Sequence, residues 1–296
     1  MANPRQIIKR KKSVTNIRKI TRTMQLIATA RYQQTLKRAV SAKPYTEKIT
    51  ELVAQLSDAA ADVEHPLLKI HENSRNAVVF MISANRGYCG GYNANLFRNT
   101  IHKLDELEGA GRHIELHAAG KKGIGYFRFL GREMAQTYTQ FEDKPRFAEV
   151  EEIANDLIHR YGEEKIDEAY IVYMRFVSAG VQRPNIIRLL PLSKEENTED
   201  ATPAGQGSTA SLTYDFSPSP DALLAELLPL SVKTRLFGCF LDAAVSEQAA
   251  RMVAMKSATD SASDMIKFLS TQYNRARQTR ITLELLDIIG GAEALK

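Results

Sequence analysis

The chain has 296 residues, 44% of them hydrophobic and 25% charged, which is globular composition with room for one large or two modest domains. No apolar run approaches the roughly 18 residues that cross a bilayer, and the opening MANPRQIIKRKK lacks the apolar core of a secretion signal, so cytoplasm is expected. Cys89 and Cys239 lie far apart without metal-ligand spacing, which excludes a disulfide framework. The net charge of +5 is unevenly spread. Residues 1–46 hold twelve Lys or Arg and no Asp or Glu, leaving 28 basic against 35 acidic residues in the rest. A basic arm on an acidic body attracts an acidic partner, whether nucleic acid, lipid head groups or protein carboxylates.

In chain order, Pro4 suits a first helical turn. A seven-residue frame follows: Ile7, Val14, Ile17, Thr21, Met24, Ala28, then Ala42, Tyr45, Ile49, Leu52, Leu56, Ala59 and Val63. It predicts a helix from Asn3 to Asp62 with left-handed supercoiling and a tolerated kink at Pro44. After His65-Pro66 the texture changes. Strand-like runs at 77–83, 114–120, 133–139 and 169–178 alternate with helical stretches, which means α/β with a largely parallel sheet. The run 185–193 is expected to pair antiparallel with the strand before it. Residues 194–211 are polar, acidic and rich in Gly, Ser and Thr, and read as an exposed loop before a last short strand, SLTYDFS.

From Cys239 to Ile289 there is neither Gly nor Pro, so one long terminal helix is expected, joined to a helical region kinked at Pro229 and stopped by Gly290 and Gly291. Large apolar residues are sparse from Lys256 to Asp264, return at Met265, Ile266, Leu269 and Tyr273, and crowd the end as LELLDII. An apolar tip near a free terminus needs cover. Two very long helices at the chain ends cover both seams most simply as an antiparallel coiled coil with the α/β segment inserted. The expected divisions are 1–64 for the N-terminal coiled-coil helix, 75–217 for a Rossmann-like α/β domain and 218–296 for the C-terminal coiled-coil helix.

The motifs argue against chemistry within the chain. SANRGYCGGYN (83–93) lies between a strand and a helix, where glycine amides cradle phosphates in nucleotide sites. It has neither GxGxxG nor GxxxxGK[ST], and a tight structural turn accounts for it better. The six histidines are dispersed; His113 and His117 share a strand face about 13 Å apart, too far for one metal. No catalytic set, cofactor site or metal site is expected. The basic arm has few aromatics for single-strand binding, and its continuous seam is not what a groove-reading region presents. Arg275, Arg277 and Arg280 add a second cationic patch near the apolar tip, the pattern of a shaft seated in a protein socket.

KSVTNIRKITRTMQLIATAR (12–31), SANRGYCGGYN (83–93), SEQAARMVAMKSATD (246–260) and YNRARQTRITLELLDIIGGAEAL (273–295) closely resemble the gamma subunit of rotary F-type ATP synthases. The resemblance spans nearly the whole chain. It implies a non-catalytic central-stalk subunit inside a ring of three alpha and three beta subunits, beside epsilon and the proton-driven c-ring. No nucleic acid is implied, and membrane association is indirect, through the c-ring, on the cytoplasmic side of a bacterial inner membrane. By the same resemblance Arg277 and Gln278 meet a beta-subunit loop; Met24 with Arg18, Lys19 and Arg22, and Arg275 above, face beta; Leu283, Leu285, Leu286, Ile288 and Ile289 occupy an apolar bearing. Tyr214 and Phe216 face the c-ring and epsilon, although Ser217 replaces an acidic residue of the family there. Arg280 stands where relatives carry a small residue and adds a charge near the contact of Arg277 and Gln278 with beta. A nucleic-acid-binding coiled coil and an α/β enzyme using the Gly87 to Gly91 turn are the competing readings.

Overall fold

The computed structural model describes residues 4–59, 65–71, 75–192 and 220–293. Its central strand, β1 (Asn76–Ile82), reads as a nearly unbroken apolar run because both faces are covered. Val78, Phe80 and Ile82 enter one core, and Ala77, Val79 and Met81 enter the other. From β1 the chain continues through α2 (Tyr92–Gly109), β2 (His113–Ala119), α3 (Lys121–Phe129), β3 (Gln136–Tyr138), α4 (Phe147–Gly162), β4 (Glu168–Ser178) and β5 (Val181–Leu190). The sheet order is β3-β2-β1-β4-β5, with β5 antiparallel to β4 and every other pairing parallel. Helices α2 and α3 pack on one face. Helix α4 packs on the other through Val150, Ile153, Ala154, Leu157 and Tyr161, the three-and-four spacing of an amphipathic helix. This is the expected α/β insert. The third strand is shorter than its sequence run, because only Gln136, Thr137 and Tyr138 lie in register with β2.

The flanking helices are α1 (Pro4–Ala59) and α5 (Pro220–Glu293). Both run through an internal proline, Pro44 and Pro229. Contrary to expectation, Gly290 and Gly291 lie within the last turns of α5 and do not end it. The many hydroxyl residues are accommodated by bonding back one turn: Thr15 to Lys11 O (2.9 Å), Thr35 to Arg31 O (3.0 Å) and Ser263 to Thr259 O (2.9 Å). The short last strand expected at 211–217 and the loop at 194–211 fall outside the described residues.

Packing divides the chain into two compact units, Met1–Thr29 with Arg251–Lys296, and Ala30–Ala250. The second contains the sheet. Its larger core gathers Ile49, Val53 and Leu56 of α1 and Leu224, Leu228, Val232, Leu236 and Phe240 of α5 around β1, β4 and α4.

Candidate functional surface on the terminal helices

In the unit formed by Met1–Thr29 and Arg251–Lys296, the inward column of α1 keeps strict seven-residue spacing: Ile7 and Ala28 are buried, Val14 and Thr21 half-buried. The companion column lies four residues on, at Lys11, Arg18 and Gln25, which are half-buried. Ile17, assigned to the seam from sequence, is instead 52% exposed. Ile17, three positions on from Val14, and Arg18, four positions on, point about 100° apart around the helix, and Arg18 is the one that turns inward. On α5 the matching stripe is Met255, Thr259, Ala262, Ile266, Leu269, Tyr273 and Ala276, all buried or half-buried at alternating three and four spacing. The Thr259 hydroxyl donates to the Thr21 hydroxyl at 2.9 Å. Small residues at Thr21, Ala28, Thr259 and Ala262 leave space for a close helix neighbour.

This stripe ends at Thr279, and every residue from Arg280 to Ala292 is exposed. Among the described residues the five bearing positions named from sequence are therefore about half exposed or more: Leu283 is 45%, Leu285 54%, Leu286 59%, Ile288 68% and Ile289 58% exposed. Arg275, Arg277 and Gln278 are exposed just before them. Arg280, the extra charge, donates from Nε to Glu284 in its own helix at 2.7 Å, so its charge is engaged within α5. On α1, Lys19 and Arg22 are exposed, Arg22 donating to Gln25 at 3.0 Å, while Met24 and Arg18 are half-buried. Tyr214 and Phe216, and with them Ser217, lie outside the described residues.

Two features of these helices were not read from sequence. Ile20, Ile27 and Phe268 leave 50–59% of their surface in water, extending the apolar outer face beyond the tip; their position off the seven-residue column was the available signal. Within Ala30–Ala250, Gln34, Lys37, Arg38, Ser41 and Ala42 of α1 join Lys144 around a cleft of about 580 Å³. The arm's charge pointed to its α1 wall, but Lys144 arrives from a distant loop.

The glycine turn weighed for phosphate binding packs against protein instead. Ser83 Oγ donates to Ala119 O (2.8 Å) and accepts from Gly123 N (2.9 Å), Asn93 accepts from Ala84 N (3.2 Å), and Asn85 accepts from Lys121 N (3.0 Å). Gly120, at φ 97°, lies so close that an added Cβ would stand 2.1 Å from Ser83 O. Ligands of α/β sheets sit beyond the carboxyl ends of the strands, where the order reverses; here that is between β1 and β4. Helix α5 crosses this end: Ser246 Oγ donates to Met174 O at 3.0 Å, and Tyr92 Oη donates to Ala243 O at 3.3 Å. Among the described residues no cluster of His, Cys, Asp and Glu could hold a metal ion, and no helix is long and apolar enough to cross a membrane.

A family model described as ATP synthase matches residues 3–295. An ATP synthase gamma chain of Rhodopirellula baltica is 48% identical over 296 residues, covering all of both chains, and one of Leptospira biflexa is 40% identical over 295 residues, again covering both in full. Among solved structures, a chain of the Euglena gracilis mitochondrial ATP synthase aligns with TM-score 0.68 at 22% identity over 99% of this chain and 94% of that one. A chain from the central stalk and c-ring of the Tetrahymena thermophila mitochondrial enzyme aligns with TM-score 0.56 at 18% identity over 81% and 99%. These two establish likeness of fold, α/β with long terminal helices, and the full-length relatives establish the rest: the chain belongs to the ATP synthase gamma chain family.

Proposed function

We propose that the chain is the non-catalytic rotor of an F-type ATP synthase, coupling proton-driven c-ring rotation to the conformational cycling of the beta subunits. In this reading residues 1–64 and 218–296 serve as the shaft within the ring of alpha and beta subunits, and residues 75–217 as the foot beside epsilon and the c-ring. The assembly sits on the cytoplasmic side of a bacterial inner membrane, and the chain reaches the membrane through the c-ring. The observation that carries the reading is the tip of α5, where six apolar residues from Ile281 to Ile289 are 45–68% exposed on an otherwise regular helix. Such a surface needs a socket. Apolar contact also suits a bearing, because it is non-directional and survives a change of angle without remaking individual bonds.

A single asymmetric shaft touches each catalytic subunit of a threefold ring differently. It can shift their open and closed populations only through differential contact energy. The exposed Arg277 and Gln278 suit a directional contact to a beta loop, and the exposed Lys19 and Arg22 suit acidic surfaces of beta. The cleft of Lys37, Arg38 and Lys144 adds cationic surface of the same kind. The test is the double variant Arg277→Ala with Gln278→Ala in the assembled complex. ATP turnover is expected to fall while the urea midpoint of the isolated chain stays put; unchanged turnover would remove these residues from the mechanism. Failure of the chain to co-purify, one copy per ring, with the catalytic subunits would overturn the whole reading.

A further inference from the structure

The long helices leave the Ala30–Ala250 unit at residues 29/30 and 250/251. Immediately inside those limits, Arg31 of α1 and Gln248 of α5 converge on one carboxylate. Asp143, on the loop between β3 and α4, accepts from Arg31 Nη1 through Oδ2, and from Gln248 Nε2 through Oδ1 at 2.5 Å. Gln248 is 1% exposed, which shields its bond to Asp143 from water, while the side chains of Asp143 and Arg31 are 22% and 35% exposed and their pairing is partly screened. The loop is itself anchored. Phe141 O accepts from Asn85 Nδ2, the Phe141 ring packs on Phe240 with centroids 4.5 Å apart, and Pro145 is buried.

We propose that Asp143 is a positioning residue for torque transfer, clamping both helices to the α/β unit where they leave it; this rests on the rotor reading above. Without such a tie, twist applied to the sheet enters each helix separately: α5 through single bonds such as Ser246 to Met174 O and Lys233 to Glu151, and α1 largely through apolar packing, which resists sliding poorly because it has no direction. A charged acceptor shared by a guanidinium and an amide has both direction and strength. Ser246 Oγ on Met174 O, and the Tyr32 ring 6.1 Å from Phe176, hold the same helices nearby but do not join them to each other. Asp143 does.

The experiment uses the assembled complex with a bead on a cysteine replacing the exposed Arg98, since the native Cys89 and Cys239 are buried. With catalysis locked by a non-hydrolysable nucleotide, the angular variance of the bead reports torsional stiffness. Asp143→Ala is expected to raise that variance about twofold, because one directional tie is lost while the neighbouring contacts remain. Unloaded ATP hydrolysis should be unchanged. The charge exchange Arg31→Asp with Asp143→Arg is expected to restore the variance, a recovery that a generally loosened fold would not give. Should Asp143→Ala fail to assemble, Asp143→Asn, which keeps size and removes charge, takes its place with the same expectation. Unchanged variance in the variant that assembles, or no recovery on charge exchange, overturns the clamp. Absence of hydrolysis-driven rotation in the unmodified complex would instead overturn the rotor reading.

Discussion

Replacing Leu285, Leu286, Ile288 and Ile289 together by Ala separates a socketed tip from a buried helix end. These side chains are 54%, 59%, 68% and 58% exposed, so their own chain covers less than half of each. Full burial of a Leu or Ile contributes ~1.5–3 kcal/mol over exposure. A socket covering the remaining surface would thus draw ~1 kcal/mol from each atom group removed, ~4 kcal/mol for the four. Ordering of side chains and imperfect fit absorb part of that, leaving ~2–3 kcal/mol, or ~30- to 150-fold faster loss of the chain from the ring. The isolated chain should keep its urea stability to within ~0.5 kcal/mol, as exposed positions do. Leu269→Ala is the contrast, because Leu269 is 2% exposed and its truncation should reduce the stability of the chain itself by ~2–5 kcal/mol. Dissociation is followed with a fluorescent label on the chain under dilution, and stability by urea titration. A quadruple variant that stayed in the ring as long as the parent, or lost more than ~1 kcal/mol of its own stability, would show that the tip is not held in a socket.

Three further outcomes follow from the α/β unit. Gly120→Ala should destabilise the isolated chain by ~3 kcal/mol or more, because the new Cβ meets the Ser83 backbone carbonyl at a positive φ; Gly131→Ala, also at positive φ but in open space, should lose only ~1 kcal/mol by urea titration. Asp167 is buried, which disfavours its charge, yet amide donors Asn76 (2.9 Å) and Arg75 (2.8 Å) and the His71 ring (2.8 Å) prevail and hold its carboxyl below the usual 3.8. Its contribution is therefore fully present above pH 3.8 and lost as pH falls through the lower folded value. Asp167→Ala should be less stable than the parent by ~3 kcal/mol near neutrality, the gap closing only in acid, as read from urea midpoints across pH. His117 is fully buried, and both ring nitrogens lack a hydrogen-bond partner among the described residues. Burial and Arg160 push its pKa below 6.5 against the opposing pull of Glu115 and Asp156. The folded chain therefore holds the neutral ring, and stability should decline as pH falls below 6.5, where the unfolded chain takes up the proton first. In His117→Phe that part of the decline should disappear; an unaltered pH profile would refute it.

Much of the architecture follows from local sequence, because strand and helix declare themselves by side-chain period. The apolar run Ala77–Ile82 and the Gly- and Pro-free Cys239–Ile289 stretch need no distant partner to be read. The tip residues and the arginines beside them were likewise legible, since an apolar cluster at a chain end stands out in one dimension. What the seven-residue frame could not decide was which of two adjacent stripes faces inward. Ile17 and Tyr45 suit the seam by composition, but Arg18 and Thr46 turn inward, and that choice belongs to the helix opposite. The inward residues of α5 beside Thr21 are the small Thr259 and Ala262, which suit a close approach of the two backbones.

The sequence by itself determined the classes of element, their order, the lopsided charge and the greasy end of the last helix, all properties of neighbours along the chain. Only the tertiary structure decided that α5 crosses the open end of the sheet, that Lys144 meets Lys37 and Arg38 around one cleft, and that Asp143 serves Arg31 and Gln248, which lie 112 and 105 residues away. The reason is physical. Periodicity is set by backbone geometry and reaches a few residues, whereas a carboxylate accepts from whichever donor the packed core brings within 3 Å or so.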